Sequence, residues 1–152
     1  MPQKEQKGYI ILLKCKTNKW DKMIQILLLT HGRLGREFKA VAQSILGKDL
    51  PIQVIGFDEG FLVDQKSATL RNTIESLASY EKMIVLTDSF GGTPSNMVLP
   101  YLEPGRIEII TGINLGLLLF LLNSDLEGSL PELCKEAKQV GKESILVAGE
   151  FL

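Results

Sequence analysis

The chain has few residues that could hold a metal ion or form a disulfide. Its 152 residues include one histidine, His31, and two cysteines, Cys15 and Cys134, which are far apart and belong to no Cys-x-x-Cys pair. Neither a disulfide framework nor a zinc site is indicated, and we expect no bound metal and no cofactor. Because this cysteine usage fits a reducing compartment, we expect a cytoplasmic protein.

The chain also lacks a large net charge and a long apolar run. The 17 basic and 18 acidic residues give a formal net charge of -1, so nucleic acid is not an expected partner. The most apolar stretch, residues 115–122, is too short to cross a bilayer, and the run at 9–13 is shorter than a signal-peptide core. We expect no direct membrane insertion. Glycine-rich dinucleotide and Walker-type motifs are absent as well.

The remaining pattern divides the chain into two parts. Residues 1–22 are rich in Lys and Gln, and we predict that they are an N-terminal appendage, disordered or non-native. From residue 23 to residue 152, short apolar runs alternate with amphipathic segments in the manner of one α/β domain. The expected fold is a doubly wound, mainly parallel sheet with helices on both faces.

Five strands and five helices are predicted within residues 23–152. The strands are residues 24–29, 52–57, 83–87, 106–111 and 144–148. The helices have these signals: an apolar stripe of Phe38, Val41, Ala42 and Ile45 before Gly47; a stripe of Leu70, Ile74, Leu77 and Ala78; an N-cap at Thr93 followed by Pro94; the buried run 115–122; and a capping box at Ser129 and Glu132, with the helix ending near Val140 at Gly141.

Three loops follow predicted strands and are the places where chemistry is expected. They are residues 30–32, 88–94 and 112–114. Because the carboxyl ends of parallel strands lie at one edge of a sheet, these loops are expected to lie together.

His31, in the first loop, is the principal candidate for a reactive residue. A metal site lacks further ligands at suitable spacing, and no Gly-x-Ser-x-Gly elbow is present, which leaves a nucleophilic imidazole that can carry a phosphoryl group. The carboxylate of Asp88 ends another strand, so it can hold one imidazole nitrogen and leave the other free to attack. The plainer alternative is a structural histidine and a turn-forming aspartate.

The segment Gly91-Gly92-Thr93 leads into a helix start and can present free backbone N–H groups to an anion. A plain loop with a good cap is the alternative. Arg33 and Arg36 could attract an anion or an acidic partner, although a solvated helix face is the favoured role for both.

Together these loops give the chain its likeness to a known family. Residues 30–32, 88–94 and 112–114, in this order and spacing, resemble the IIA component of the mannose-type (mannose/fructose/sorbose) sugar phosphotransferase system. The similarity runs from Met23 to the end. The sequence departs from the family at Gly116, where related sequences often have proline, and in the leader.

The resemblance implies a function and partners. His31 would be phosphorylated by the phosphocarrier protein HPr and would phosphorylate a separate IIB component, which serves the membrane sugar permease. Asp88 would orient the histidine, and Thr93 would help hold the phosphoryl group. The resemblance also implies a homodimer in which the last strand is exchanged between subunits.

Three other functions stay open at this point. A phosphohistidine phosphatase or mutase is disfavoured because Thr30 stands where those enzymes have arginine and no second histidine is present. The phosphoryl-carrying subunit of a dihydroxyacetone kinase is a closer rival, although its second motif usually lacks the Gly-Gly-Thr/Ser-Pro sequence. A non-catalytic regulatory domain of the same fold is the third.

Overall fold

A parallel sheet of four strands forms the centre of the protein. A computed structural model describes residues 24–77, 82–124 and 129–151. Its strands run in the spatial order β2-β1-β3-β4, and each neighbouring pair is parallel. The predicted α/β fold with a parallel sheet is therefore confirmed. The strands are β1 (Ile24–His31), β2 (Ile52–Phe57), β3 (Lys82–Thr87) and β4 (Ile107–Thr111).

Helices cover both faces of this sheet. Along β1, Ile26 and Leu28 pack into one hydrophobic cluster, and Leu27 and Leu29 pack into another on the opposite face. This is why residues 26–29 are apolar at every position and do not alternate. The first cluster also contains residues of α1 (Leu34–Leu46), α4 (Leu115–Asn123) and α5 (Leu130–Glu143), and the second contains residues of α2 (Val63–Leu77) and α3 (Thr93–Val98).

The predicted buried stripe of α1 is partly wrong. Ala42 is buried, but Val41 and Ile45 are 43% and 42% exposed. The helix instead turns Gly35 toward the sheet, where an added Cβ would lie 3.0 Å from Val54 Cγ1. Because a glycine adds no side chain to the pattern, the apolar periodicity placed the inward face too far around the helix. Gly47 ends the helix in the left-handed conformation, as predicted.

In α2, Leu70 and Ile74 are buried as predicted, whereas Ala78 lies outside the described residues. The fourth helix is confirmed as α4, and its burial is partial: Leu117, Leu118, Leu121 and Leu122 are buried. None of the helices in the described ranges is long and apolar enough to cross a bilayer.

Two predicted helix ends need correction. Gly92, in an extended conformation, is the N-cap of α3, so Thr93 is the first helical residue and not the cap. Gly141 does not end α5, because it is a buried residue within the helix that allows close packing on Leu117 of α4. The capping box of Ser129 and Glu132 is confirmed.

The predicted last strand, residues 144–148, is not a strand in the described chain. Ser144 donates its backbone N–H to Val140 and Ile145 donates to Lys142, so this segment begins by completing the end of α5. A short 3-10 helix, Ala148–Phe151, follows. The appendage predicted at residues 1–22 lies outside the described residues.

Candidate active site

His31 and Asp88 meet at the carboxyl edge of the sheet although they are 57 residues apart. His31 is the last residue of β1, and Asp88 follows the last residue of β3. These strands pair in parallel, with Leu29 opposite Thr87, so the two strand ends lie side by side. The expectation that the first two loops lie together is thereby met.

One carboxylate oxygen of Asp88 holds both the backbone and the ring of His31. Asp88 Oδ2 lies 2.9 Å from His31 Nδ1 and accepts the His31 backbone N–H at 3.0 Å. Because a carboxylate accepts hydrogen bonds, this contact favours the neutral tautomer with the proton on Nδ1, in which Nε2 keeps a free lone pair. The imidazole is 50% exposed and the Asp88 side chain 12% exposed, so the ring is accessible while its partner is shielded.

The turn after His31 is fixed by backbone contacts with β2. Gly32, at φ +50°, donates its N–H to the Phe57 carbonyl at 2.8 Å. A Cβ on Gly56 would collide with the Gly32 carbonyl oxygen. The buried Thr30 hydroxyl accepts the Gly35 N–H at 2.8 Å and so ties the strand end to the start of α1. These contacts hold the His31 backbone from two sides.

Sequence reasoning missed Thr30, Gly35 and Gly56 as parts of this support. The available signal was a glycine inside a strand, which often marks a close backbone approach. Gly56 fits that description in β2.

The Gly91-Gly92 segment lies against the other side of the imidazole. A Cβ on Gly92 would lie 2.7 Å from His31 Cε1 and 3.3 Å from Nε2, so only glycine leaves the ring in place. Ser95 Oγ donates to the Gly92 carbonyl at 3.0 Å, and Asn96 Nδ2 donates to the Gly91 carbonyl at 3.1 Å. The structure thus brings the glycine pair, and with it the start of α3, beside the nitrogen that Asp88 leaves free.

The third predicted loop, residues 112–114, contacts the end of the strand that precedes Asp88. The backbone N–H groups of Gly112 and Ile113 both donate to the Thr87 carbonyl, at 2.9 and 3.1 Å. Asn114 caps α4 by accepting the Leu117 N–H, and its Nδ2 donates to the Gly141 carbonyl. This loop positions the residue before Asp88 and joins α4 to α5.

The structure also accounts for Gly116. A Cβ at this position would collide with Ser144 Oγ and would lie 2.9 Å from Ser144 Cβ. The glycine therefore makes room for the end of α5 to pack on the first turn of α4.

Unlike Asp88, the first charged residues that follow His31 in the chain are exposed. Arg33 forms a long ion pair with Glu37, 3.6 Å between Nη2 and Oε1, and both side chains are mostly in solvent. Arg36 is exposed as well. Within the described ranges no cluster of three or more His, Cys, Asp or Glu residues could hold a metal ion.

Comparison with known proteins identifies the family. A family model described as PTS system fructose IIA component matches residues 25–138, which include His31, Asp88 and the glycine pair. The chain belongs to this family. It is a IIA component, a phosphoryl carrier of the sugar phosphotransferase system, and the dihydroxyacetone kinase alternative is not favoured.

Individual relatives agree with this assignment. The fructose-specific EIIA component of Bacillus subtilis (strain 168) is 24% identical over 131 residues, 86% of this chain and 90% of that protein. The IIA protein associated with the fucose utilization operon of Streptococcus pneumoniae is 25% identical with a TM-score of 0.73, covering 85% of this chain and 96% of its own.

A third relative shows the same fold. The mannose/sorbose-specific IIA subunit of Enterococcus faecalis has a TM-score of 0.73 at 22% identity, covering 82% of this chain and 94% of its own.

Proposed function

We propose that this IIA component carries the phosphoryl group on Nε2 of His31. The observation that supports this is the 2.9 Å contact between Asp88 Oδ2 and His31 Nδ1, which leaves Nε2 as the nucleophilic nitrogen. Gly92 lies beside this same nitrogen. The half-exposed ring can be approached by a protein donor from solvent.

The transfer is a direct exchange between two imidazoles. The P–N bond to the donor's histidine breaks as the P–Nε2 bond to His31 forms, and the Nδ1 proton stays between the ring and Asp88. Because the transition state for phosphoryl transfer is loose, the protein mainly aligns the reacting atoms and stabilises spread negative charge. Backbone N–H groups of Gly91, Gly92 and Thr93 are the proposed donors to the phosphoryl oxygens.

Asp88 acts from the far side of the ring. Two anions repel, so the carboxylate must stay away from the phosphoryl group, and its contact with Nδ1 satisfies that condition. Bonding of Nε2 to phosphorus makes the ring more positive, and the Asp88 charge stabilises that state. Discharge to the acceptor reverses the same steps.

The proposed partners follow from the family. His31 takes the phosphoryl group from HPr and gives it to a separate IIB component, which serves the membrane sugar permease, and the protein acts in the cytoplasm. We also propose a homodimer in which the segment after α5, which is not a strand in the single chain, pairs with the sheet of the partner subunit. Its support is the apolar segment Ile145, Leu146 and Val147, which is 60–76% exposed in the isolated chain.

Reconstituted phosphorylation tests the proposal. The protein is incubated with phosphoenolpyruvate, enzyme I and HPr, and its intact mass and the acid lability of the product are measured. We expect one acid-labile phosphoryl group on the wild-type chain and none on His31→Ala. Phosphorus NMR of the denatured product distinguishes the two ring nitrogens. Labelling of His31→Ala would refute the site, and an Nδ1 adduct would refute the role of Asp88.

A further inference from the structure

A large aromatic side chain is exposed beside His31. Phe90 is 76% exposed, whereas Phe57, at the end of neighbouring β2, is buried and packs edge to face on Phe61. Phe90 lies between Asp88 and Gly92 in the chain, and both of those residues contact the His31 ring. Phe90 is therefore not part of the hydrophobic core, and packing within the fold does not explain an aromatic residue at this position.

The position of Phe90 places it inside any surface that a protein donor must cover. Consecutive Cα atoms are about 3.8 Å apart, so the Phe90 Cα is within about 7.6 Å of the Cα atoms of Asp88 and Gly92. A standard protein interface covers about 800 Å² on each partner, a disc of roughly 16 Å radius. A donor that brings its histidine to Nε2 therefore covers Phe90.

A second exposed apolar side chain follows His31 in the chain. It belongs to Leu34, the first residue of α1, three positions after His31. Of the nearby charges on α1 and its N-cap, Arg33 pairs with Glu37, and Arg36 is exposed. Phe90 is the large aromatic group that this part of the surface offers to a partner.

We propose that Phe90 is the apolar anchor that the phosphorylated donor protein buries when it docks on His31. The inference rests on the proposed function and adds the chemistry of the partner, which must present an apolar patch next to its phosphohistidine. Asn96 and Ser95 hold the carbonyls of Gly91 and Gly92. The loop that carries the ring is therefore ordered before docking, which lowers the entropic cost of binding.

Single-turnover transfer from phosphorylated HPr tests this assignment. For Phe90→Ala we expect the HPr concentration at half-maximal rate to rise on the order of tenfold or more, with the maximal rate unchanged. Labelling of His31 by the small donor phosphoramidate should stay at the wild-type rate, because it needs no docking surface. Phe90→Trp should restore docking.

The matched control is Leu102→Ala, which removes an exposed apolar side chain from the opposite edge of the sheet, before β4. It should transfer like the wild type. Wild-type docking by Phe90→Ala would overturn the inference while the proposed function stands. An effect confined to onward transfer to the IIB component, or loss of phosphoramidate labelling, would also overturn it. Failure of both donors to label wild-type His31 would remove the proposed function and this inference together.

Discussion

Asp88 Oδ2 contacts both the backbone N–H and the ring of His31. Substitutions of Asp88 can therefore separate the effect of its charge from the effect of its hydrogen bonds. Asp88→Asn can keep its amide oxygen toward the ring and the His31 backbone N–H, so it removes charge but not orientation. We expect transfer from phosphorylated HPr to slow on the order of 10²-fold. Asp88→Ala removes orientation as well and should slow transfer further.

Rapid-quench measurement of both variants, with phosphorus NMR of each product, checks this prediction. The fold should be retained, since neither change removes a core side chain. Equal rates for the two variants would mean that charge and orientation do not act separately.

Gly92 offers a second test at the residue scale. Its backbone, at φ -74°, accommodates alanine, but the added methyl group would lie 2.7 Å from His31 Cε1. Gly92→Ala should therefore leave the free energy of unfolding nearly unchanged and slow His31 phosphorylation tenfold or more, an effect of about 1.4 kcal/mol on the barrier. Thermal unfolding and phosphoramidate labelling measure the two quantities.

Gly91→Ala is the matched control for that test. Gly91 has φ +78° and nothing within 4 Å of an added Cβ, so alanine there introduces backbone strain without touching the ring. We expect a loss of stability on the order of 1 kcal/mol and a smaller effect on labelling than for Gly92→Ala. The opposite order of labelling rates would contradict the role given to Gly92.

Among the elements, the junction between α4 and α5 depends on Gly116. Gly116→Ala places a methyl group on Ser144, and we expect the free energy of unfolding to fall by about 1–3 kcal/mol. In a double-mutant cycle, Ser144→Gly should recover most of that loss. Gly149→Ala is the control, because an added Cβ there meets nothing within 4 Å. Additive losses in the cycle would show that the two residues are not in contact.

The N-terminus of α5 gives the protein a pH-dependent stability term. Hydrogen bonds from the Ser129 hydroxyl and then its backbone N–H lower the pKa of Glu132 below its ordinary 4.5. A carboxyl whose folded pKa is lowered stabilises the fold above pH 4.5, and this contribution is lost as the pH falls through the folded pKa. Urea unfolding at pH 6 and pH 3 should show the difference between wild type and Glu132→Gln shrinking at the lower pH. Glu136→Gln, on the same helix, is the control, and an unchanged difference would refute the linkage.

The four strands of the sheet were predictable from sequence to within two residues because their signal is a short, mainly apolar run, as at β3. The fifth predicted strand, residues 144–148, was wrong. The buried face of a helix, or the residue at which it ends, was less predictable where it depends on a glycine. Gly35 adds no hydrophobicity to the face it turns inward, and Gly141 has the same chemical identity whether it ends a helix or lets two helices approach.

The candidate site, too, was only partly predictable from the sequence. That His31 and Asp88 lie together could be predicted, because the carboxyl ends of parallel strands meet at one edge of the sheet. The contacts of Gly56 and Thr30 depend on backbone positions in three dimensions that no periodicity encodes.

At the scale of the whole molecule, the exposed segment at Ile145 to Val147 predicts association. We expect a homodimer by light scattering at micromolar concentration, because pairing with a second chain would bury these side chains. A chain ending at Glu143 should be monomeric if that segment forms the exchanged strand. A monomeric full-length protein would contradict the proposal. A chain beginning at Met23 should still be phosphorylated.

The placement of His31 and Asp88 on the two central strands has a consequence for partial unfolding. Local opening of a protein usually begins at its least protected elements, and β2 and β4 are the outer strands of this sheet. Detachment of β4 would leave β1 and β3 paired. Detachment of β2 would release Gly32 from Phe57 but would not separate Nδ1 from Asp88. We therefore expect the contact between His31 and Asp88 to survive an opening of either outer strand that spares the central pair.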